Sequence, residues 1–301
     1  MKTRSILRLA GRGLVSVIFA RKKPMIGSLI LTDRCNLSCR HCVVGNVTSE
    51  IYPYDQIRSG MQRMYDQGVR ILLLYGGEPF LWQDQDRTLS DLVREAKQMG
   101  YLLVNVVTNG TYPLELPEVD MILVSLDGDR MHHIQIRGDT YDLILENINQ
   151  ADSDKICLYM AINRLNQSDI EAVCTLTRSM AKVKAISFNF HTPYPGTEHL
   201  SLSRAEKQAC CERIVKLMDA GYPILNLRHA FPSIVGNTFP TPCYQCVMME
   251  KDRQWICGRC RDVPGLCDSC GYFFAAEFSL LFRLKFMVVW DFIKTYGKLA
   301  S

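Results

Sequence analysis

Cys35, Cys39 and Cys42 stand in the run Cys35-Asn-Leu-Ser-Cys39-Arg-His-Cys42, a C-x3-C-x2-C spacing on a short loop directly after an apolar stretch, 25–31. Three closely spaced thiolates can hold three irons of a [4Fe–4S] cube and leave the fourth iron without a protein ligand. Electron-transfer cubes are ordinarily closed by four cysteines. An iron with a free position is a place to do chemistry. The competing reading is a zinc site completed by His41, but structural zinc is normally closed by four protein ligands.

A second group comprises Cys243-x2-Cys246, Cys257-x2-Cys260 and Cys267-x2-Cys270. Paired C-x2-C spacing points to ligation, and it fits one zinc as well as an iron–sulfur cluster. Four ligands would suffice for one centre, and Cys246, Cys257, Cys267 and Cys270 are slightly favoured. The remaining cysteines of the 13, Cys157, Cys174, Cys210 and Cys211, read as small buried apolar residues. Thiolate ligation requires a reducing compartment, so the chain reads as cytoplasmic rather than as a secreted disulfide scaffold.

The elements that must position these groups follow from periodicity. The chain has 301 residues, 48% hydrophobic and 22% charged, which suits a globular protein with one large barrel or two ordinary domains. A net charge of +4, scattered except at the N-terminus, argues for no nucleic-acid partner. Near-continuous apolar runs at 25–31, 69–75, 101–107, 121–126, 155–162 and 184–190 predict parallel strands covered on both faces. Helical faces fall between them: Tyr54, Ile57, Met61, Met64 and Tyr65 share one, and Leu89, Leu92, Val93, Ala96 and Met99 another. Further helices are expected at 141–151, 168–180 and 203–220. Six β/α units in a row predict an α/β fold, a partial (β/α)6 TIM-like barrel with its active residues at the C-terminal strand ends. The expected organisation is a basic amphipathic segment at 1–24, the barrel at 25–235, a loop-rich cysteine module at 236–275 that needs metal staples, and a C-terminal amphipathic helix at 276–301.

Further motifs end the strands. Gly76-Gly77-Glu78-Pro79 follows the second, Thr108-Asn109-Gly110 the third, and Ser125-Leu126-Asp127-Gly128 the fourth. Adjacent glycines let a ligand approach the backbone closely, and Glu78 offers a carboxylate to an ammonium group. The order and strand positions of these motifs, over roughly 25–200, resemble the radical S-adenosylmethionine (radical SAM) superfamily. That resemblance implies a barrel of the radical SAM type in which Cys35, Cys39 and Cys42 each bind one iron of the [4Fe–4S] cluster. The free iron would chelate the methionine part of S-adenosylmethionine, with Gly76, Gly77, Glu78 and Pro79 near its amino group. Ser125 and Asp127 would lie near the carboxylate and ribose, His41 near the adenine, and Asn163 at a further contact. It also implies reductive cleavage of the cofactor to a 5′-deoxyadenosyl radical, which abstracts hydrogen from a substrate or adds to it. The cofactor carries this hard chemistry and the protein supplies position and dryness. An electron donor such as ferredoxin or flavodoxin is implied as a partner. In the family context the second cysteine group reads as an auxiliary iron–sulfur cluster, with zinc as the alternative.

The run Leu126-Asp-Gly-Asp-Arg-Met-His-His133, with Arg137-Gly-Asp-Thr-Tyr141, Pro242-Cys-Tyr244 and Cys267-Asp-Ser-Cys-Gly271, resembles a subgroup that includes the adenosyl-hopene-forming enzyme. This favours an isoprenoid or lipid substrate. A ribosomally made peptide is the second candidate, because auxiliary clusters are frequent in peptide-modifying relatives. The sixth strand ends in Asn189-Phe-His191-Thr-Pro-Tyr194, where His191 and Tyr194 could position substrate or move a proton; a rigid Pro-rich turn explains them equally well. A non-catalytic electron carrier or a zinc-stapled binding protein is the alternative of a different class, and it would need no Gly-Gly-Glu-Pro.

Both ends carry amphipathic patterns. Arg4, Arg8 and Arg12 line one helical face, with Ile6, Leu7, Leu14, Val17 and Ile18 largely elsewhere. Near the C-terminus, Glu277, Arg283, Asp291, Lys294 and Lys298 fall in one sector and apolar residues fill the rest. Peripheral contact with lipid is one reading, and packing against the barrel ends is the other. No stretch is long and uncharged enough to span a bilayer.

Overall fold

The computed structural model describes residues 23–300. The expected basic segment at 1–24 therefore lies almost wholly outside the described residues.

Six parallel strands pair in chain order: β1 (Ile26–Ile30), β2 (Ile71–Tyr75), β3 (Leu103–Thr108), β4 (Met121–Ser125), β5 (Ile156–Ile162) and β6 (Val183–Phe190). The helices α1 (Tyr54–Gln67), α2 (Leu89–Met99), α3 (Arg130–Arg137), α4 (Tyr141–Gln150), α5 (Ile170–Ser179) and α6 (Arg204–Asp219) fall between and after them. The fold is thus α/β and mostly parallel, as the alternation of patterns predicts. Gly68, at φ 115°, stops α1, while capping boxes Thr88–Asp91 and Ser203–Glu206 open α2 and α6.

The two faces of the sheet differ. Leu29, Leu72, Leu74, Val104, Val106, Ile122 and Val124 are buried in one core with Met61, Met64, Leu92, Val93 and Ile144 of the helices. Full burial of each such side chain contributes roughly 1.5–3 kcal/mol. The alternate positions Ser28, Leu73, Asn105, Leu123, Tyr159 and Asn189 line a hollow on the other face.

The cysteine-rich stretch is more ordered than its loop-like composition suggests. After a short helix, α7 (Phe231–Gly236), it supplies β7 (Cys246–Glu250), parallel to β1, and β8 (Arg253–Ile256), antiparallel to β7. The sheet therefore has eight strands, with β8 and β6 at its edges. From β8 the chain runs through Cys257–Gly271 to the far edge. There Phe190 N donates to Gly271 O (2.9 Å) and Gly271 N to Thr192 Oγ1 (3.0 Å). This strap ties the two edges of the open barrel together.

The single C-terminal helix expected over 276–301 is two helices, α8 (Phe273–Leu281) and α9 (Phe286–Ala300). Leu284, with a left-handed φ of 53°, sits in the corner between them. Glu277 is buried rather than on a polar outer face: its Oε1 accepts from Asn226 Nδ2 (3.0 Å) and Leu227 N (2.9 Å). Cys157, Cys174, Cys210 and Cys211 are buried, in keeping with an apolar packing role.

Candidate active site

Thr32 to Glu50 forms a loop above β1 that the rest of the chain fixes at several points. Asn46, itself in the left-handed region at φ 61°, accepts from Cys35 N through Oδ1 (2.8 Å) and donates Nδ2 to Leu37 O (3.0 Å). Asp33 accepts from Thr48 Oγ1 (2.8 Å) and Glu50 N (2.8 Å). These bonds and that from Thr48 N hold its carboxyl below the usual range against a burial effect that would raise it. Arg40 N donates to Ile136 O at the end of α3 (2.9 Å), and Arg259 Nη2 donates to Val43 O (2.7 Å).

The Gly-Gly pair anchors the base of this loop. Gly77 N donates to Thr32 O (2.8 Å) and Glu78 N to Arg34 O (2.9 Å). A Cβ at Gly76 would stand 2.2 Å from Thr32 O, and one at Gly77 2.2 Å from Arg34 O. The close approach that requires glycine is therefore made by the cysteine loop's own backbone, although Gly76 and Gly77 also line the cavity beyond.

That cavity, of about 220 Å³, is lined by Cys35, Cys39, Cys42, His41, Gly76 and Gly77, from other strand ends by Asn109, Ser125, His191 and Tyr194, and from the end of α3 by Arg137. The fold thus brings most of the residues expected at the site to one rim. Glu78, Pro79, Asp127 and Asn163 do not line it; all four are buried and brace what does. Glu78 accepts from Thr108 Oγ1 (2.8 Å), Asn109 N (2.8 Å) and Phe80 N (3.1 Å). Burial still pushes its pKa up to about 7. Asn163 organises its own turn, accepting from Leu165 N (2.9 Å).

Asp127 is the electrostatic hub. Its Oδ2 accepts from Arg137 Nε (2.6 Å) and its Oδ1 from Ala161 N (2.8 Å). Burial would raise its pKa, but the Arg137 guanidinium holds it below the ordinary value. Arg137 Nη1 also reaches Cys39 Sγ (3.9 Å), opposing the burial that pushes that thiol up to about 11. His41 Nε2 lies 3.7 Å from Asp127 Oδ2, while its Nδ1 is buried with no hydrogen-bond partner. Burial lowers the His41 pKa to about 4, with Asp127 working the other way, so the ring is neutral at pH 7.

Residues 29–177, which carry all of these groups except His191 and Tyr194, match the family model described as Radical SAM superfamily. The chain belongs to the radical SAM superfamily. Members are enzymes that use a [4Fe–4S] cluster and S-adenosylmethionine. Among curated relatives, Fe-coproporphyrin III synthase of Methanosarcina barkeri is 31% identical over 227 residues, covering 68% of this chain and 55% of the relative. A probable GTP 3′,8-cyclase of Saccharolobus islandicus is 29% identical over 165 residues, covering 50% of this chain and 52% of that protein. The chain thus spans about half the length of these relatives. Among solved structures, Streptococcus suis SuiB bound to S-adenosylmethionine superposes with a TM-score of 0.65 at 12% identity, covering 98% of this chain and 72% of SuiB. At that identity the likeness is one of fold. The finer resemblance to the adenosyl-hopene-forming subgroup rests on its motifs alone.

The residues at the rim fit the radical SAM cluster and cofactor. Backbone N–H groups of Leu37, Val44 and Gly45 each lie 3.4 Å from a cysteine sulfur, and Asn109 Nδ2 lies 3.8 Å from Cys35 Sγ. Such donors stabilise thiolate and tune a cluster's potential. Among the described residues no three cysteine sulfurs lie within 4.8 Å of one another. Ligands of a single tetrahedral zinc, each ~2.3 Å from the ion, would stand about 3.8 Å apart. The wider spread suits a cluster of several irons, and the orphaned His41 Nδ1 leaves a polar atom for a bound partner.

The second cysteine group is divided between the start of β7 (Cys243, Cys246) and the strap (Cys257, Cys260, Cys267, Cys270). Cys243, Cys257, Cys260, Cys267 and Cys270 line one small cavity, and Cys246 is buried beside Cys243 with their sulfurs 3.5 Å apart. The geometry thus does not single out Cys246, Cys257, Cys267 and Cys270. Tyr194 and Tyr272 line the first cavity, and Tyr194 also lies close to Cys260. His191 is buried, and its Nε2 contacts Thr197 O (3.1 Å) and Oγ1 (3.0 Å), so that nitrogen holds the Pro-rich turn.

Sequence reasoning named neither Arg137 nor Asn109 as site residues. Asn109 ends a strand beside the glycine motif, and Arg137 ends the helix that Asp127 precedes. Asn109 is legible as a strand end, whereas no helix is expected over 130–137, so nothing marks Arg137 as an element end.

Proposed function

We propose that this chain is a radical SAM enzyme acting on a substrate with an apolar moiety that enters the barrel hollow beneath the cofactor. The observation that carries this reading is a second cavity of about 210 Å³ under the first. Its walls are chiefly aliphatic and aromatic side chains of β1–β6, with Phe274, Phe278, Phe292 and Tyr296 of α8 and α9. It shares Val107, Tyr159 and Asn189 with the cavity above. Pockets with apolar walls and a few convergent polar groups are the usual binding sites.

When bound, the cluster and S-adenosylmethionine supply one-electron reductive cleavage of the sulfonium C–S bond. Cys35, Cys39 and Cys42 would hold the cluster, and the backbone of Gly76 and Gly77 would meet the methionine amino group. Arg137 and Ser125 would meet its carboxylate, and neutral His41 the adenine. Glu78, Asp127 and Asn163 position these groups without touching the ligand. Tyr159 and Asn189, hydrogen-bonded to each other, form the floor between cofactor and substrate. His191 and Tyr194 close the rim and exclude water. The strap cysteines would hold an auxiliary iron–sulfur cluster, and a ferredoxin- or flavodoxin-type donor would supply electrons.

The test is anaerobic reconstitution followed by dithionite and S-adenosylmethionine, reading 5′-deoxyadenosine by mass spectrometry. The expected result is cleavage stimulated by an isoprenoid alkene and abolished in the Cys35→Ala, Cys39→Ala, Cys42→Ala variant, with about eight irons per chain if both sites carry cubes. Stimulation by a short peptide instead would reassign the substrate. Absence of cleavage at full iron loading with all substrates would refute the enzyme reading.

A further inference from the structure

Ten large apolar side chains stand exposed among the described residues, and five of them fall within ten positions: Leu284, Phe286, Met287, Trp290 and Ile293. Phe286 is 77% exposed and Trp290 56%. On α9 the positions 286, 290 and 293 follow helical spacing, so they form one stripe. The opposite side of the helix is occupied: Val288 is buried, and Phe292 and Tyr296 face the barrel hollow. Leu284, held in the left-handed region at the α8–α9 corner, extends the stripe beyond the helix.

The unpaired charges on this segment have one sign, and the nearby Lys184 and Arg228 are paired with the exposed Asp154 (2.6 Å) and Asp219 (2.7 Å). Arg283, Lys285 and Lys294 are exposed and make no ion pair among the described residues. The one acidic residue in 282–297, Asp291, is buried and bound to His229, accepting from N and contacting Nδ1, each at 2.8 Å. A groove of about 420 Å³ runs alongside, where Met218, Tyr222, Met287 and Trp290 lie beside Lys294. No helix among the described residues is long and apolar enough to cross a membrane.

We infer that the α8–α9 corner docks on an anionic lipid surface. Phe286, Trp290 and Ile293 enter the acyl boundary, and Arg283, Lys285 and Lys294 meet lipid phosphates. Tryptophan favours the interfacial depth, and an apolar stripe edged by cations suits an interfacial rather than a spanning mode. The charge decides against a generic protein partner: an exposed surface with three unpaired cations, whose neighbouring acids Asp154 and Asp219 are already paired to Lys184 and Arg228, matches a negatively charged plane. This inference does not depend on the substrate of the strand-end site.

The test is flotation of the reconstituted full chain with phosphatidylglycerol/phosphatidylcholine vesicles against phosphatidylcholine alone. Binding is expected only to the anionic vesicles and should weaken with salt. The Phe286→Ser, Trp290→Ser variant should bind about 100-fold more weakly. Replacing Arg283, Lys285 and Lys294 by Gln should cost about 5-fold per cation. As a check free of folding effects, Trp290 emission should shift to the blue on anionic vesicles, and Trp290→Phe should lose that shift. Failure to float, equal binding to neutral vesicles, or flotation unchanged in both variants would overturn the inference. So would a concentration-dependent dimer in sedimentation that the Phe286→Ser, Trp290→Ser variant abolishes, which would assign the face to a second copy. Cleavage of S-adenosylmethionine without vesicles should be unaffected by these variants, so failure here is distinguishable from failure of the enzyme reading.

Discussion

Replacing Gly77 by alanine should disable the site through the loop and not through lost ligand contact. The added methyl would lie 2.2 Å from Arg34 O, 2.5 Å from Arg34 C and 2.6 Å from Asp33 O. These are backbone atoms, so no side chain can swing away. Restoring an ordinary carbon–oxygen contact requires a shift of about 1 Å in a close-packed region. The shift strains two hydrogen bonds, Gly77 N to Thr32 O and Glu78 N to Arg34 O, each worth ~1 kcal/mol. With overpacking of ~1–3 kcal/mol added, the loss of stability should be about 3–5 kcal/mol. Cys35 follows Arg34 directly, so the same displacement moves a cluster ligand. A misplacement of ~1 Å can cost about 100-fold in rate. Urea denaturation, iron content and 5′-deoxyadenosine formation measure the three consequences. Gly297→Ala, where nothing lies within 4 Å of the new Cβ, is the matched control and should be neutral or slightly stabilising. A Gly77→Ala protein with the parental urea midpoint, full iron and parental turnover would refute the claim that these glycines admit the loop.

Burial raises the Glu277 pKa from 4.5 to about 7, so the folded state binds more protons than the unfolded state between those values and Glu277 costs stability as pH rises through that window. Glu277→Gln can keep both bonds to Oε1; it should therefore gain on the order of 3 kcal/mol over the parent at pH 8 and little at pH 4.5, read from urea midpoints. A destabilised Gln variant at pH 8 would sink this account. Asp127→Asn leaves the guanidinium of Arg137 buried with an uncharged partner and should lose about 3 kcal/mol, with iron loading impaired beside Cys39. Cys174→Ala and Cys211→Ala remove only buried apolar packing, so each should retain the parental iron content. Loss of iron in either would show that a ligand lies outside the two groups.

The six parallel strands are legible because both faces are largely apolar: one fills the core and most of the other lines the hollow, which preserves a continuous run. β7 and β8 are not, because Cys-Val-Met-Met-Glu and Arg-Gln-Trp-Ile carry thiols, thioethers and charge at strand length. Within the site, residue types name the chemistry but not the division of labour. Gly76 and Gly77 read from the sequence as room for a ligand, and only the fold shows the backbone of Thr32–Arg34 there. Glu78 and Asp127 read as ligand contacts, yet their oxygens are taken by strand-end N–H groups and by Arg137. A carboxylate's partners are set by tertiary structure, and nothing in spacing records them.

The link between the two cysteine groups shows the same limit at long range. Arg259 is adjacent in sequence to Cys260 and donates to the carbonyl of Val43, adjacent to Cys42. It is held by Glu250, at 3.2 Å, whose strand β7 lies beside β1. Tyr194, at the β6 end, lies close to Cys260 and Tyr272. The strap that closes the barrel thus also braces the loop carrying the first three cysteines. A motif search treats the two groups as separate sites, whereas Arg259 joins their loops in the fold.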